Sequence, residues 1–169
     1  RLPDIEQAVD QLNRLRRNRV QVQLKPGNSA GGTLIDFVNP PDKAAQYSVT
    51  ADNQGSPSTG KLRIQVGAET GDLLGLMESF SVGLTSSLET NAVYAAASLP
   101  IGYSTLSMMT SWSEYQNLIG DTALVYGTSE SVTAAWNMLI YRDRTSKTAL
   151  DVSLIRRNAK RMVNNARLT

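Results

Sequence analysis

The sequence predicts a mainly β protein, an antiparallel transmembrane β-barrel that follows a smaller α+β module. From residue 42 onward, segments of about ten residues alternate between apolar and polar side chains and are separated by turn residues. The polar side chains are mainly Ser, Thr, Gly and Gln, whereas soluble sheets usually protect their edges with long charged residues. Strands of about 9–11 residues also have the length that a tilted strand needs to cross a bilayer.

The composition excludes several kinds of chemistry. The 169 residues include no Cys and no His, so disulfides, Cys/His zinc sites and Ser-His-Asp triads are impossible within the chain. A net charge of +2 is too small to indicate a nucleic-acid partner. The chain also has no phosphate-binding loop and no run of about 18 apolar residues that could form a transmembrane helix. We therefore expect no metal, no cofactor and no enzymatic activity.

Residues 1–41 predict the α+β module. Asp4 is a candidate N-cap for a helix over Asp4–Leu15, and Val20–Leu24 and Thr33–Val38 read as two short strands. The helix has an apolar stripe at three- and four-residue spacing, formed by Ile5, Ala8, Val9, Leu12 and Leu15. The basic run Arg16–Arg19 predicts a solvated helix C-terminus, with a nucleic-acid patch as the alternative. Since a first strand is lacking, we expect the second half of a domain, and hence a piece of a longer protein.

Residues 42–169 predict seven strands. Their apolar faces begin at Ala45, Leu62, Phe80, Val93, Leu106, Val132 and Leu150. Two long polar connections are expected at Asn53–Gly60 and Gln116–Ser129, and tighter turns at Gly71–Gly75, Pro100–Tyr103 and Tyr141–Lys147. Because bacterial barrels have an even number of eight or more strands, we expect the barrel to continue beyond these seven.

The fifth of these strands shows the alternation most clearly. The face that we expect to contact lipid carries Leu106, Met108, Thr110 and Trp112. The face that we expect to line an aqueous lumen carries Thr105, Ser107, Met109, Ser111 and Ser113. The aromatic residues expected at the membrane interfaces are Trp112, Tyr115, Trp136 and Tyr141. A soluble β-rich domain for binding or adhesion remains an alternative, because soluble sandwiches alternate as well.

Several motifs, in order, resemble a known family. "LPDIEQAVDQLNRL" and "VQVQLKPG" are similar to the second polypeptide-transport-associated (POTRA) domain of two-partner secretion transporters, the TpsB proteins. Further matches are "DNQGSPSTGKLR", "GDLLGL", "SLPIGYSTLSMMTSWSEY" and "LIYRDRTSKTAL". The resemblance implies that residues 1–41 are the C-terminal part of a POTRA domain. It implies that residues 42–169 are the N-terminal strands, about seven, of a 16-stranded outer-membrane barrel.

The resemblance also implies a function. TpsB proteins recognise and translocate an unfolded exoprotein, which is a haemolysin, an adhesin or a toxin. The implied location is the bacterial outer membrane, with the POTRA portion in the periplasm. The implied partners are a secreted exoprotein of β-helical character and outer-membrane lipid, with no nucleic acid, and the transporter is expected to be monomeric. A barrel-assembly relative of the same superfamily is a further alternative.

The candidate substrate-binding residues form the first predicted strand. An extended exoprotein segment can pair with an exposed sheet edge through main-chain hydrogen bonds. The residues proposed for this edge are Val20, Gln21, Val22, Gln23 and Leu24. The alternative is that this strand only completes the small domain from within. If the first barrel strand leaves the periplasm at Ala44, Asn53–Gly60 and Gln116–Ser129 face the cell exterior.

Overall fold

The computed structural model describes residues 2–29, 31–40, 43–57, 60–120, 122–143, 145–164 and 166–168. Within these ranges one helix precedes ten strands. The elements are α1 (Leu2–Asn13), β1 (Gln21–Pro26), β2 (Thr33–Val38), β3 (Ala45–Asp52), β4 (Arg63–Gly71), β5 (Ser79–Ser86), β6 (Thr90–Ile101), β7 (Ser104–Ile119), β8 (Ala123–Arg142), β9 (Lys147–Val163) and β10 (Ala166–Leu168).

The strands form two antiparallel sheets. β1 and β2 make a hairpin, whereas β3 to β10 form one eight-stranded sheet in which every strand pairs with its neighbours in sequence. The prediction of a mainly β, antiparallel fold with seven strands from β3 to β9 is confirmed, and the short β10 is an addition that the sequence did not reveal. β3 and β10 each pair on one side only among the described strands, so the sheet is open. No helix in the described part of the chain has the length and apolar character needed to cross a membrane.

Helix α1 differs slightly from its prediction. It begins at Leu2 and ends at Asn13, so Asp4 lies in the first turn and is not the N-cap that the sequence suggested. The Asp4 carboxylate instead accepts a hydrogen bond from the hydroxyl of Tyr103, which lies in the turn between β6 and β7. The chain beyond the helix turns back at Leu15, whose side chain is buried and contacts the position where Gly71 would carry a Cβ. α1 therefore packs against the large sheet.

Cross-strand register gives the large sheet two distinct faces. On one face Leu106 lies opposite Leu99 and Trp136, and on the other Ser107 lies between Ser98 and Ala135. Since the side chains of a strand alternate, the predicted grouping of Leu106 with the other apolar residues of β7 is confirmed. Large exposed apolar side chains are concentrated on that face; among them are Tyr47, Val49, Val66, Val82, Leu84, Met108, Val152 and Leu154.

The predicted long loop at Gln116–Ser129 is wrong. β7 continues to Ile119 and β8 begins at Ala123, so these residues extend a hairpin whose turn includes Gly120 at a φ of 62°. In this extension polar residues occur on both faces, and the hydrophobic alternation that marks a strand in the sequence is lost. The loop predicted at Asn53–Gly60 does separate β3 from β4, although Ser58 and Thr59 lie outside the described residues.

The predicted interfacial position of Tyr115 is also wrong. Tyr115 shares the polar face with Ser111 and Ser113, because it follows them at two-residue spacing. Its ring covers Gly127 on β8, where an added Cβ would lie 2.4 Å from the Tyr115 Cε1 atom. Tyr141 does reach the apolar face, because a β-bulge between Leu139 and Tyr141 shifts the alternation by one residue.

Candidate functional site

The predicted recognition strand lies in the β1–β2 hairpin. Gln21, Val22, Gln23 and Leu24 belong to β1, whereas Val20 directly precedes it and is buried. Leu24 is 68% exposed, and both glutamines are exposed as well. Four of the five predicted residues are therefore on an accessible strand.

One edge of β1 is paired and the other is open. β1 pairs with β2 in antiparallel register, and no other strand among the described residues pairs with it. Gly27 N–H donates to Gly32 C=O at 2.9 Å, one step beyond the last strand pair. Hydrogen-bonded pairs alternate along an antiparallel ladder, so Gln21, Gln23 and Lys25 direct their main-chain groups toward β2. By the same alternation Val22 and Leu24 direct theirs toward the open edge.

The first position on this open edge is occupied by α1. Val20 N–H donates to Asn13 Oδ1 at 2.7 Å, and Asn13 Nδ2 donates to Val20 C=O at 3.1 Å. A single side-chain amide thus satisfies both outward main-chain groups of Val20. Val20 is consequently unsuitable for pairing with another strand, and the open edge consists of Val22 and Leu24.

Two further asparagines join α1 to the hairpin. Asn18 Nδ2 donates to Leu12 C=O at 2.8 Å, and Asn39 Nδ2 donates to Asn18 Oδ1 at 3.0 Å. Asn39 also accepts a hydrogen bond from Arg19 N–H at 3.0 Å. Sequence reasoning missed this network, because asparagines near turns are common and nothing in their spacing reveals which main-chain groups they meet. The network fixes the hairpin relative to α1.

The polar side of α1 contacts the large sheet near the β8–β9 turn. Arg142 Nη1 donates to Asp10 Oδ2 at 2.6 Å and to Gln7 Oε1 at 3.3 Å, and its Nε lies 3.3 Å from Glu6 Oε2. Lys147 Nζ donates to the same Asp10 oxygen at 3.1 Å. Burial raises the pKa of Asp10, but the hydrogen bonds from Arg142 and Lys147 outweigh it and hold this pKa below its ordinary value.

Further contacts join the chain after α1 to the β4–β5 turn. Arg17 Nη2 lies 2.9 Å from Asp72 Oδ2, and Arg16 Nε lies 3.4 Å from Glu69 Oε2. The interpretation of Arg16–Arg19 as a solvated helix end is therefore wrong for Arg17, which is ion-paired, and the helix ends before this run. Such pairing could not be read from the sequence, because the two partners are 55 positions apart.

Arg14 connects the same region to a third place on the sheet. Its Nη1 donates to Ser98 Oγ at 2.6 Å and its Nη2 to Met77 C=O at 2.9 Å. Burial lowers the pKa of Arg14. In addition, Gln11 Nε2 donates to Gly102 C=O at 3.3 Å. We call α1 and the residues that follow it, up to Arg17, the α1 region. The α1 region contacts the sheet at the β4–β5, β6–β7 and β8–β9 turns, which share one rim of the sheet, and we call this set of contacts the rim junction.

The polar face of the large sheet carries its own hydrogen bonds. Arg63 donates through Nε and Nη2 to the two oxygens of Asp52 at 2.9 and 3.1 Å. Ser111 Oγ and Ser131 Oγ are 2.8 Å apart on neighbouring strands. In the part of the chain that the structure describes, no group of His, Cys, Asp and Glu side chains could hold a metal ion. These contacts suit a wet surface of paired charges and small hydroxyls.

Comparisons with known proteins agree with this arrangement. Residues 31–169 match the model of the family described as haemolysin secretion/activation protein ShlB/FhaC/HecB, and residues 1–26 match the POTRA domain model. The outer membrane transporter CdiB of Escherichia coli O6:K15:H31 (strain 536 / UPEC) is 30% identical over 88% of this chain and 27% of its own length. The hemolysin transporter protein ShlB of Serratia marcescens is 28% identical over 99% of this chain and 32% of its own length.

Solved structures give the same result. CdiB from Escherichia coli superposes with a TM-score of 0.91 and 28% identity, covering 99% of this chain and 33% of that chain. CdiB from Acinetobacter baumannii gives a TM-score of 0.81 at 17% identity, which shows the fold alone. The present chain spans about a third or less of the length of these relatives.

Proposed function

We propose, from the premise that this chain belongs to the family of haemolysin secretion/activation proteins ShlB/FhaC/HecB, that it takes part in exporting an unfolded exoprotein across the bacterial outer membrane. Relatives that are 28–30% identical carry the names of outer membrane transporter and hemolysin transporter protein. The partner is a secreted haemolysin, adhesin or toxin of β-helical character. The transporter acts as a monomer, and neither nucleic acid nor an enzymatic step has a part in the proposal.

We propose that residues 1–41 belong to a periplasmic POTRA domain and residues 42–169 to the barrel. The separation of the β1–β2 hairpin from the eight-stranded sheet supports this division. The match of residues 1–26 to a POTRA domain is consistent with the first part. The boundary falls between β2, which ends at Val38, and β3, which begins at Ala45.

The rim junction supports an orientation in the membrane. A periplasmic α1 requires that the three turns it contacts also lie at the periplasmic end of the sheet. The β3–β4, β5–β6 and β7–β8 connections then face the cell exterior. The apolar face contacts lipid, because Val49 is 75% and Leu154 is 75% exposed and water would not favour such a surface. This apolar face argues against the soluble alternative.

The open edge of β1 is the proposed exoprotein-binding site. An extended segment of the exoprotein adds there as a third strand and bonds to the outward main-chain groups of Val22 and Leu24. The observation that carries the proposal is the alternation of the β1–β2 ladder, which directs the main-chain groups of Val22 and Leu24 outward. The outward main-chain groups of Val20 are already bonded to the Asn13 side chain. Binding through the main chain suits an unfolded partner, since it depends little on the partner's side chains.

Proline substitution tests this site in the full-length transporter. Val22→Pro and Leu24→Pro each remove one outward N–H while the ladder to β2 is kept, so we expect exoprotein secretion to fall sharply while the barrel assembles normally. Val22→Thr and Leu24→Ser are the matched controls and should secrete nearly as well as the parent protein. Gln21 and Gln23 are unsuitable positions because their N–H groups bond to β2. Normal secretion by both folded proline variants would exclude this edge.

A further inference from the structure

The β4–β5 turn carries an unusual group of side chains. Leu73, Leu74 and Leu76 are 62%, 70% and 55% exposed, in a turn at the rim that α1 contacts. Their exposure is not explained by strand pairing, by the polar face of the sheet or by the rim junction. They belong to the "GDLLGL" motif, for which the proposed transport mechanism has no use.

Two carboxylates hold this turn in shape from within. Glu78 is 4% exposed and accepts hydrogen bonds from the N–H groups of Leu74 at 2.8 Å and Leu76 at 3.2 Å. Asp72 accepts a hydrogen bond from Met77 N–H at 3.1 Å, and its own N–H donates to Glu78 C=O at 2.8 Å. Because these polar main-chain groups are satisfied on the inside of the turn, the leucine side chains are left outside.

The α1 region fixes the turn from a second side. Arg17 pairs with the Asp72 carboxylate, and Arg14 donates to Met77 C=O. The backbone of the turn adopts positive φ at Asp72, Gly75 and Met77, which is uncommon for the two residues that are not glycine. A turn held in this way does not fold its leucines inward, so their outward position is a fixed property of the fold.

Leu74 and Leu76 continue the apolar face of the sheet beyond the ends of its strands. Leu74 and Leu76 line an open groove of about 320 Å³. The other apolar residues of this groove lie on the face that carries Met108; they are Phe80, Ala97, Leu99, Leu106 and Met108. Three polar residues also line the groove: Glu78, which is buried, and Ser98 and Ser107, whose side chains belong to the opposite face of the sheet. The remaining lining is apolar from the turn to the sheet face, so both are in contact with the same medium.

We propose that the β4–β5 turn is a membrane anchor, in which Leu73, Leu74 and Leu76 insert among the acyl chains of the periplasmic leaflet. The groove beside Leu74 and Leu76 then receives one phospholipid acyl chain. The inference rests on the proposed function, which places the apolar face in lipid and this rim in the periplasm. Continuity with that face selects lipid as the occupant, since a protein partner would have to displace lipid from Leu106 and Met108 as well.

Spin-label accessibility tests the anchor in the full-length transporter, reconstituted in vesicles of phosphatidylethanolamine and phosphatidylglycerol. Single cysteines at Leu74→Cys, Met108→Cys and Thr145→Cys, in a background without other cysteines, are labelled with a nitroxide. Collision with oxygen, which concentrates in lipid, is compared with collision with a water-soluble nickel chelate. We expect the Leu74 label to match the Met108 label, with an oxygen-to-nickel ratio several-fold above that of Thr145 on the same rim.

The reference positions separate failure of the anchor from failure of the proposed function. If the Met108 label is oxygen-rich and the Leu74 label resembles Thr145, the turn lies in water and the anchor is overturned alone. A Leu74 label that is shielded from both reagents is covered by protein, which also overturns the anchor. If the Met108 label itself is exposed to nickel, the apolar face does not contact lipid and the proposed function fails with the anchor.

A double variant provides a test that does not depend on a nitroxide label, which could itself perturb the turn. Leu74→Asn and Leu76→Asn, combined, remove the apolar groups but leave the main-chain bonds to Glu78. The readout is quenching of tryptophan fluorescence by acyl-brominated phospholipid, in a background in which the other tryptophans, Trp112 and Trp136 included, are replaced by Phe. The fluorescence of Leu73→Trp should be quenched strongly in the parent turn and several-fold less in the double variant. Equal quenching in both backgrounds would show that Leu74 and Leu76 do not determine insertion.

Discussion

Arg142 at the end of β8 donates a hydrogen bond to Asp10 of α1 across 132 positions of sequence, with an Nη1 to Oδ2 distance of 2.6 Å. The Arg142 side chain is 17% exposed and that of Asp10 is 45% exposed. Glu6, Gln7 and Lys147 complete the contact. The contacts of Arg142 and Lys147 with α1 span 132 to 137 positions, the longest sequence separations in the rim junction, and they connect the helix to the β8–β9 hairpin.

The first prediction concerns the strength of this link. Arg142→Gln removes a charge-assisted bond that is worth roughly 1 kcal/mol once solvent screening of the half-exposed Asp10 is allowed for. We expect amide hydrogen exchange in α1 to become several-fold faster in the full-length transporter. Lys25→Gln is the control, since it breaks the Lys25–Asp36 pair within the hairpin and should leave α1 unchanged. Unchanged exchange in Arg142→Gln would contradict the role assigned to the link.

The second prediction is a pH dependence of the same contact. The pKa of Asp10 in the folded protein lies below its ordinary value of 3.8, so its ionised form is stabilised by folding. This contribution is present above pH 3.8 and is lost as the pH falls through the lowered pKa. We expect α1 exchange to be constant from pH 7 to 5, after correction for intrinsic rates, and protection to fall below about pH 4. Asp10→Asn should lack the acidic transition; a transition of the same size in that variant would assign it elsewhere.

The third prediction concerns the two faces of β7. Met108→Arg places a cation on the proposed lipid face, which costs roughly 2–4 kcal/mol near the middle of the membrane, whereas Ser107→Arg places it on the polar face. We expect the full-length Met108→Arg variant to assemble poorly and Ser107→Arg to assemble almost normally, as judged by heat-modifiable migration on gels. Equal assembly of the two variants would mean that the faces are wrongly assigned.

The fourth prediction concerns orientation. Leu88, in the β5–β6 turn, is 84% exposed, and the proposed orientation places this turn at the exterior. A full-length Leu88→Cys variant should react with an impermeant maleimide on intact cells. Thr145→Cys in the β8–β9 turn should react only after the outer membrane is opened. The reverse pattern of labelling would invert the orientation of the sheet.

Local patterns predicted the strands well. The apolar faces of β3, β4 and β7 follow from two-residue alternation, because burial or lipid contact of one face constrains every second residue. The hairpin beyond Gln116 was missed, since both of its faces carry polar residues and a polar strand resembles a loop in sequence. Tyr115 was assigned to the wrong environment because its aromatic character was weighed above its position in the alternation.

Long-range polar contacts were not predictable. Asn13 meets Val20 after a chain reversal, and Asp10 meets Arg142, which lies 132 positions away at the end of β8. Neither contact is marked in the sequence by a regular spacing or by composition, because the number of residues between the two partners depends on all the elements that lie between them. For the candidate site, the strand was predictable from alternation, but the outward positions on it required the register of the ladder.

The order of strands has a consequence for how the protein assembles. Every strand of the large sheet pairs with its sequence neighbours. Each pairing therefore closes only a short loop, and the free edge of the last strand is available to pair with the next strand. The contacts of the α1 region join it to residues 55, 91 and 132 positions away, at the β4–β5 turn, at the β6–β7 turn and at the end of β8. If the sheet grows strand by strand from β3, these contacts form in that order, and the number already made reports how many strands have been added.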